Sequence, residues 1–199
     1  MLPTGSVFVA GTDTDVGKSV VSAWLLRKIG GDYWKPIQSG LAGESDLLAV
    51  RRLSGLAEDS FHPSTYNLTQ PLSPHASAAL DGVEIKLDDF VLPESKNPII
   101  VEGAGGLLVP LNDQDFIVDL IQRLALPVLL VARSGLGTIN HTLLSLQLLR
   151  QRGVDIAGVV LNGELNPGNR DAIIKYGKVD IIAEIPKLDP LNVQTLGAA

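Results

Sequence analysis

A lysine and a serine near the start of the chain are spaced as in a phosphate-binding loop. An apolar run over residues 7–10 leads into a polar loop, which ends in Gly17-Lys18-Ser19 and precedes a helical pattern. Strand, loop, Gly-Lys-Ser and helix together predict that backbone amides converge on phosphate oxygens at a helix N-terminus. The lysine of such a loop adds positive charge for the outer phosphates, and the serine hydroxyl is suited to ligate Mg²⁺.

The glycines of this loop have an unusual spacing. Five residues separate Gly11 from Gly17, one more than in the common pattern, so Thr12 occupies the position expected for the first glycine. The alternative is an ordinary glycine-rich turn between a strand and a helix. That alternative leaves Gly-Lys-Ser at a helix start as a coincidence, so we favour the phosphate-binding loop.

Three charged residues fall beside predicted strands and helices. Glu102 follows an apolar run and precedes three glycines within four positions. A carboxylate at a strand end that faces a phosphate loop is a plausible Mg²⁺ ligand. Asp46 begins a helical pattern, and Lys35 follows an aromatic pair. Taken alone, Asp46 is better explained as a helix cap and Lys35 as an exposed lysine.

Two further stretches have side chains or backbone groups suited to a nucleotide or an anion. Asn162 ends a predicted strand, and the lysine and aspartate that guanine-specific proteins carry just after such an asparagine are absent. An amide offers both a donor and an acceptor, which suits an adenine edge. Residues 137–140 open a helix, whose free N–H groups form a second potential anion site.

Predicted strands and helices alternate along the chain, and the candidate site residues fall where these elements begin or end. The strands are continuous apolar runs, which is typical of strands covered on both faces. We predict an α/β fold of the P-loop NTPase type, a single-domain doubly wound parallel β-sheet flanked by helices over residues 1–199. Ligands bind beyond the carboxyl ends of such strands, where the candidate residues fall. Residues 38–43 are predicted as a loop, 59–74 as irregular, and 87–92 as helical.

Composition excludes several classes of protein. The 199 residues are 45% hydrophobic and carry a net charge of −6, which argues for a packed interior and against a binder of nucleic acid. The chain lacks cysteine, so it has no disulfide framework or thiolate metal site. Neither a signal peptide nor a run of membrane-spanning length is evident. We predict a cytoplasmic protein that binds neither nucleic acid nor membrane.

Several stretches together resemble one family, the dethiobiotin synthetases. They occur in that family's order across nearly the whole chain, and the extra residue between the loop glycines is itself the family's form. The matching stretches are 11–19 (GTDTDVGKS), 35–40 (KPIQSG), 45–46 (SD), 73–75 (SPH), 101–106 (VEGAGG), 110–111 (PL), 135–141 (GLGTINH), 162 (N) and 184–186 (EIP). Ser19 departs from the family's more usual threonine but keeps the hydroxyl.

The resemblance implies an ATP-dependent ring closure. One amine of 7,8-diaminononanoate takes up CO₂, the resulting carbamate attacks the γ-phosphate of ATP, and the second amine closes the ring. The products are dethiobiotin, ADP and phosphate, in the penultimate step of biotin synthesis. The resemblance also implies Mg²⁺ and a homodimer with shared active sites. The predicted helix after residue 138 is apolar over more than a narrow stripe, which is compatible with a dimer interface.

The resemblance assigns roles to individual residues. Lys18 and Lys35 are implied to be catalytic, because they hold the carbamate and the transferring phosphate, while Ser19, Asp46 and Glu102 hold Mg²⁺. Lys18, Ser19, Asp46 and Glu102 are also implied to contact the nucleotide. The other implied nucleotide contacts are Thr14, Asp15, Val16, Gly17, Val20, Gly103, Ala104, Gly105, Asn162, Pro186, Lys187 and Leu188. The implied substrate contacts are Thr12, Ser39, Gly137, Thr138, Ile139 and Asn140, the last four from the other subunit.

Three other functions are open at this point. Regulatory or partitioning ATPases share the superfamily, but many carry a second lysine five residues before the first, where this chain has Asp13. Amide-forming ligases of cobalamin synthesis usually have an additional amidotransferase domain, for which this chain has no room. A nucleotide-binding module without chemistry is the third alternative.

Overall fold

Nine strands and seven helices make up the computed structural model, which describes residues 1–199. The strands are β1 (Val7–Gly11), β2 (Asp32–Trp34), β3 (Ile37–Ser39), β4 (Phe61–His62), β5 (Tyr66–Leu68), β6 (Ile99–Gly106), β7 (Val128–Arg133), β8 (Ile156–Asn162) and β9 (Ile181–Ile185). The helices are α1 (Lys18–Ile29), α2 (Asp46–Ser54), α3 (Pro74–Asp81), α4 (Ile117–Leu124), α5 (Thr138–Gln151), α6 (Pro167–Gly177) and α7 (Val193–Gly197).

Seven strands form one parallel sheet in the order β4-β2-β6-β1-β7-β8-β9. Alternate residues of the central strand β1 belong to different cores. Val7 and Val9 pack in the core that contains α1, and Phe8 packs in the core that contains α4 and α5. Full burial of one such side chain contributes about 1.5–3 kcal/mol. Burial on both faces explains the continuous apolar runs, and the predicted doubly wound fold is confirmed.

A separate two-stranded sheet corrects two of the predictions from sequence. Strand β3 pairs in parallel with β5, so the predicted loop over 38–43 and the predicted irregular segment over 59–74 were partly wrong. Both strands are three residues long, too short to give a period-two pattern, but each buries one apolar residue, Ile37 and Leu68. This sheet carries the chain toward the carboxyl edge of the main sheet.

Helix boundaries follow local capping signals. The Ser45 side chain accepts a hydrogen bond from the Leu48 amide at 3.3 Å, so the cap of α2 is Ser45 and not Asp46. Gly55 ends α2 in the left-handed conformation. Within residues 87–92 only Leu87–Asp89 form a short 3-10 turn, so the predicted helix there was wrong. Helix α7 was not predicted. None of the helices combines the length and apolar character needed to cross a bilayer.

A cluster of polar side chains around Asp32 stabilises the amino-terminal edge of the sheet, opposite the carboxyl edge. The buried Asp32 carboxylate accepts hydrogen bonds from Ser95 Oγ at 2.6 Å and Asn97 Nδ2 at 3.2 Å, and lies 3.3 Å from His62 Nε2. Burial alone would raise the pKa of Asp32, but these three partners outweigh it and lower that pKa. The cluster ties the segment before β6 to β2 and to the edge strand β4.

Candidate active site

A cavity of about 850 Å³ opens at the carboxyl edge of the sheet, between the loop after β1 and the segment before α3. It brings together most of the residues that the sequence assigned to nucleotide, metal and catalysis. The predicted residues in its lining are Thr14, Asp15, Gly17, Lys18, Ser19, Val20, Lys35, Ser39, Asp46, Glu102, Ala104 and Gly105.

The loop between β1 and α1 has the bend that a phosphate-binding loop needs. Gly17 caps α1 in the left-handed region at φ 93°, and Asp15 also has a positive φ of 56°. Val16 points into the core and is 1% exposed, which anchors the loop. Its carbonyl accepts a hydrogen bond from Asn162 Nδ2 at 3.1 Å. The first residues of α1, Lys18, Ser19 and Val20, line the cavity, and the first amides of a helix have no acceptor within it.

The structure shows why position 11, one residue before the usual place of the first loop glycine, must be a glycine. A Cβ at this position would lie 2.7 Å from the Asp13 carbonyl oxygen and 2.9 Å from Lys18 Nζ. Lys18 Nζ donates to that same carbonyl at 3.1 Å, so the lysine folds back over the end of β1. Burial lowers the pKa of Lys18, and the nearby charge of Lys35 lowers that pKa further.

Lys35 lies at the centre of a buried charged group. Its Nζ is 2.8 Å from Asp46 Oδ2 and 3.1 Å from Glu102 Oε1, and it lies 3.4 Å from the Gly103 carbonyl oxygen. Lys35 and Glu102 are 3% and 1% exposed. Burial alone would lower the pKa of Lys35, but the two carboxylates outweigh it and raise the pKa, so the lysine is charged at neutral pH. The interpretation of Lys35 as an exposed surface lysine is wrong.

The two carboxylates of this group come from different elements. Asp46 is the first residue of α2, where burial alone would raise its pKa, but Lys35 and Ser19 lower it. Glu102 lies inside β6, which continues to Gly106, so the prediction that it follows the strand was wrong. The glycines after Glu102 have no side chains to pack, which hid the continuation of the strand from a reading of apolar residues.

Three oxygen atoms converge in a way that suits a magnesium ion. Ser19 Oγ lies 3.0 Å from Asp46 Oδ1 and 2.9 Å from Glu102 Oε1. A hydroxyl has one proton, so it donates to only one of two ionised carboxylates at a time. Convergence of a hydroxyl and two carboxylates fits a hard cation that also takes phosphate and water oxygens. No group of three or more acidic, histidine or cysteine side chains forms a closed metal cage.

Ser39 presents an unpaired polar atom at the other end of the cavity. Its hydroxyl oxygen is buried and has no hydrogen-bond partner within the protein. Buried hydroxyls are almost always paired, so one left free in a cavity wall is suited to bind a ligand. This geometry agrees with the substrate contact that the resemblance implies for Ser39.

One wall of the cavity consists of residues that were not predicted as site residues from the sequence. Val109 lines the cavity together with Pro71, Leu72, Ser73 and Pro74, which follow β5. The match of residues 73–75 to the family was the available signal, but no chemistry of single residues pointed to this segment. Its apolar members offer contact to a hydrocarbon chain and not to phosphate.

Several predicted residues lie outside this cavity. Val16 and Gly103 are buried behind it, and Asn162 lies against Gly17 at its rim. Thr12 lines a second cavity of about 640 Å³ beside α5, together with His141 and Leu144. Like Val16, Gly103 and Asn162, two further groups line neither cavity: Gly137, Thr138, Ile139 and Asn140 at the start of α5, and Pro186, Lys187 and Leu188 after β9.

Solved structures share the fold of this chain. A ParA family ATPase from Chlorobium tepidum TLS aligns with a TM-score of 0.57 at 15% identity, covering 97% of this chain and 89% of that one. A MinC:MinD cell division protein complex from Aquifex aeolicus aligns with a TM-score of 0.53 at 13% identity, covering 98% and 86%. At such identities the likeness shows the fold alone.

Sequence relatives are much closer. A family model described as an AAA domain matches residues 5–195. An ATP-dependent dethiobiotin synthetase BioD of Paramagnetospirillum magneticum is 50% identical, covering 96% of this chain and 92% of that protein. Another BioD, of Rhodopseudomonas palustris, is 45% identical over 98% and 94%. The biotin biosynthesis bifunctional protein BioCD of Bordetella avium is 49% identical over 96% of this chain and 41% of that protein. The chain therefore belongs to the family of ATP-dependent dethiobiotin synthetases.

Proposed function

We propose that this chain closes 7,8-diaminononanoate with CO₂ to form dethiobiotin, at the expense of ATP. The observation that carries the proposal is Lys35, which lies between Asp46 and Glu102 in the cavity beside a phosphate-binding loop. Regulatory or partitioning ATPases have no second substrate to hold, and the second lysine that many of them carry would stand at position 13, where this chain has aspartate. We further propose that residues 1–199 form one synthetase domain, because the proposed nucleotide and substrate contacts extend from Thr12 to Leu188.

The proposed chemistry needs no nucleophile from the protein. One substrate amine adds to CO₂ and loses a proton, which gives a carbamate. A carbamate oxygen then attacks the γ-phosphorus of ATP and displaces ADP, which gives a carbamic-phosphoric anhydride. The second amine attacks its carbonyl carbon, and phosphate leaves as the ring closes. A chain without cysteine is suited to such a reaction, because the substrate supplies both nucleophiles.

The protein's task is to let two anions meet. Lys18 and Lys35 place positive charge where the carbamate and the transferring phosphoryl group come together, and this stabilises the charge of the transition state. Backbone amides of Asp15, Val16 and the start of α1 cradle the phosphates, and the glycine-rich end of β6 allows them to approach closely. Bound Mg²⁺, held by Ser19, Asp46 and Glu102, would neutralise charge on the phosphates.

The proposed adenine contact uses Asn162 with the segment 186–188. Because the Asn162 NH₂ group donates to the Val16 carbonyl, its Oδ1 is left to accept a hydrogen bond from the adenine amino group. This arrangement supports ATP as the nucleotide. Asn162 would then join the base to the loop that holds the phosphates.

The proposed substrate contacts within one chain are Thr12 and Ser39. We propose that the start of α5 binds the substrate carboxylate in the site of a second subunit, since free N–H groups there attract an anion. Its four predicted residues line neither cavity of their own chain, which agrees with a role in a partner's site. Leu136 and Leu144, near and on this helix, are 100% and 59% exposed, as an unpartnered interface would be.

The central test of the proposal is a phosphate-release assay with one component omitted at a time. We expect phosphate release to need ATP, 7,8-diaminononanoate and bicarbonate together, because the carbamate is the nucleophile. Omission of either the diamine or the bicarbonate should return the rate to the background of a mixture without protein. ATP hydrolysis that ignores the diamine would overturn the synthetase proposal and favour a regulatory ATPase.

The homodimer gives a second prediction. We expect light scattering to report about twice the 21.1 kDa of one chain. Leu144→Glu places a charge on the exposed apolar face of α5, so the mass should fall to that of a monomer and synthesis should fall with it. Leu80→Glu is the matched control, since Leu80 is 68% exposed on α3 and its change should leave both unaltered. A fully active monomer would refute the shared site.

The cytoplasmic location and the lack of nucleic-acid and membrane partners stay predictions from composition.

A further inference from the structure

The Glu102 carboxylate has two oxygens in different environments. Oε1 contacts Ser19 and Lys35, both of which line the cavity. Oε2 accepts hydrogen bonds from Ser22 Oγ at 2.8 Å and from Tyr33 Oη at 3.1 Å. Neither Ser22 nor Tyr33 lines the cavity, and both are 0% exposed. The proposed mechanism uses neither residue.

These two hydroxyls come from rigid and independent elements. Ser22 lies in α1, one turn after Lys18, and Tyr33 lies in β2, beside the strand that carries Glu102. The Tyr33 ring also packs against Phe61, with centroids 5.7 Å apart. A phenol so enclosed has no other acceptor within reach and donates its one proton to Glu102. Two fixed donors on one oxygen set the plane of the carboxylate.

We propose that Tyr33 and Ser22 are positioning residues, which hold Oε2 of Glu102 so that Oε1 faces the metal of the nucleotide site. The inference rests on the proposed function, because it takes Glu102 to be a magnesium ligand. Partners of metal-binding carboxylates typically contribute 10–100-fold to metal affinity or activity. A purely structural role would instead satisfy a buried carboxylate and affect only the stability of the fold.

The test measures metal affinity directly, apart from turnover. Mn²⁺ binding to the full chain in the presence of ADP is followed by electron paramagnetic resonance. We expect Tyr33→Phe, which removes one oxygen atom, to raise the Kd of Mn²⁺ by about tenfold, and the double variant with Ser22→Ala to raise it further. The KM for Mg²⁺ should rise in parallel, while the KM for the diamine stays unchanged.

The matched control is Ser54→Ala, which removes another buried hydroxyl, one that donates to the Arg51 carbonyl; neither residue lines the cavity. This variant should lower the melting temperature without changing Mn²⁺ affinity. If Tyr33→Phe and the double variant bind Mn²⁺ within twofold of the unaltered chain, the positioning role is overturned, whatever their stability. If the unaltered chain adds nothing to the affinity of Mn²⁺ for free ADP, both the magnesium site and this inference fail.

Discussion

A Lys35→Met variant should turn over about 10²–10³-fold more slowly than the unaltered chain. Methionine nearly preserves the volume of lysine but removes the charge beside Asp46 and Glu102. We expect kcat to fall while the KM for ATP changes little, because this charge acts on the transition state more than on bound ATP. Single-turnover phosphate release at saturating ATP, diamine and bicarbonate measures the effect.

Stability must be separated from catalysis in this variant. Removal of one partner from a buried ion pair typically costs about 3–5 kcal/mol, because Glu102 is left without its counter-charge. We therefore expect a lower melting temperature, and rates should be taken well below it. Lys35→Arg keeps the charge but not the compact ammonium, so it should retain more stability than activity. Lys86→Met, at an exposed lysine, is the control, and near-normal turnover by folded Lys35→Met would contradict the proposed role.

Gly17→Ala should weaken ATP binding by about 100-fold or more, equivalent to about 2.7 kcal/mol. Gly17 has a φ of 93°, where an L side chain is strained, and its Cβ would lie 2.1 Å from Asn162 Nδ2. The loop or the asparagine must move, and either movement spoils the array of amides that faces the phosphates. Calorimetric titration with ATP and Mg²⁺ measures the loss.

The predicted clash between a Cβ at Gly17 and Asn162 can be tested separately from the backbone strain. In an Asn162→Ala background the clash is gone and only the backbone strain is left, so Gly17→Ala should cost less there than in the unaltered chain. Gly43→Ala is the control, because a Cβ at Gly43 meets nothing within 4 Å. Equal effects of Gly17→Ala in both backgrounds would show that the asparagine does not act on the loop.

The phosphate-binding loop and the buried parallel strands around it were predictable from local sequence. Gly-Lys-Ser follows an apolar run directly, and continuous apolar runs indicate strands that are buried on both faces. Lys35 was different, because nothing local distinguishes a buried lysine from an exposed one. Its burial depends on Asp46 and Glu102, which lie 11 and 67 residues further along the chain, and only the family resemblance pointed to it.

Contacts between distant segments explain what the sequence did not reveal. Strand β5 has three residues, and its position follows from pairing with β3 and not from any pattern of its own. The wall formed by residues 71–74 depends on that pairing. Tyr33 and Ser22 look like ordinary core residues in sequence, and their hydrogen bonds to Glu102 become visible only when α1, β2 and β6 are assembled.

The Asp32 cluster lies at the edge of the sheet opposite the cavity, and this separation has a consequence for how the protein can change. The Asp32 cluster forms no side-chain hydrogen bond or ion pair with the residues that line the cavity, so substitutions in the two places should be close to additive. Variation around Ser95 and Asn97 is then open to drift between lineages, or to laboratory selection for heat resistance, without a penalty in synthesis. Changes of substrate preference would have to arise at the other edge, where each new side chain meets the charged group around Lys35.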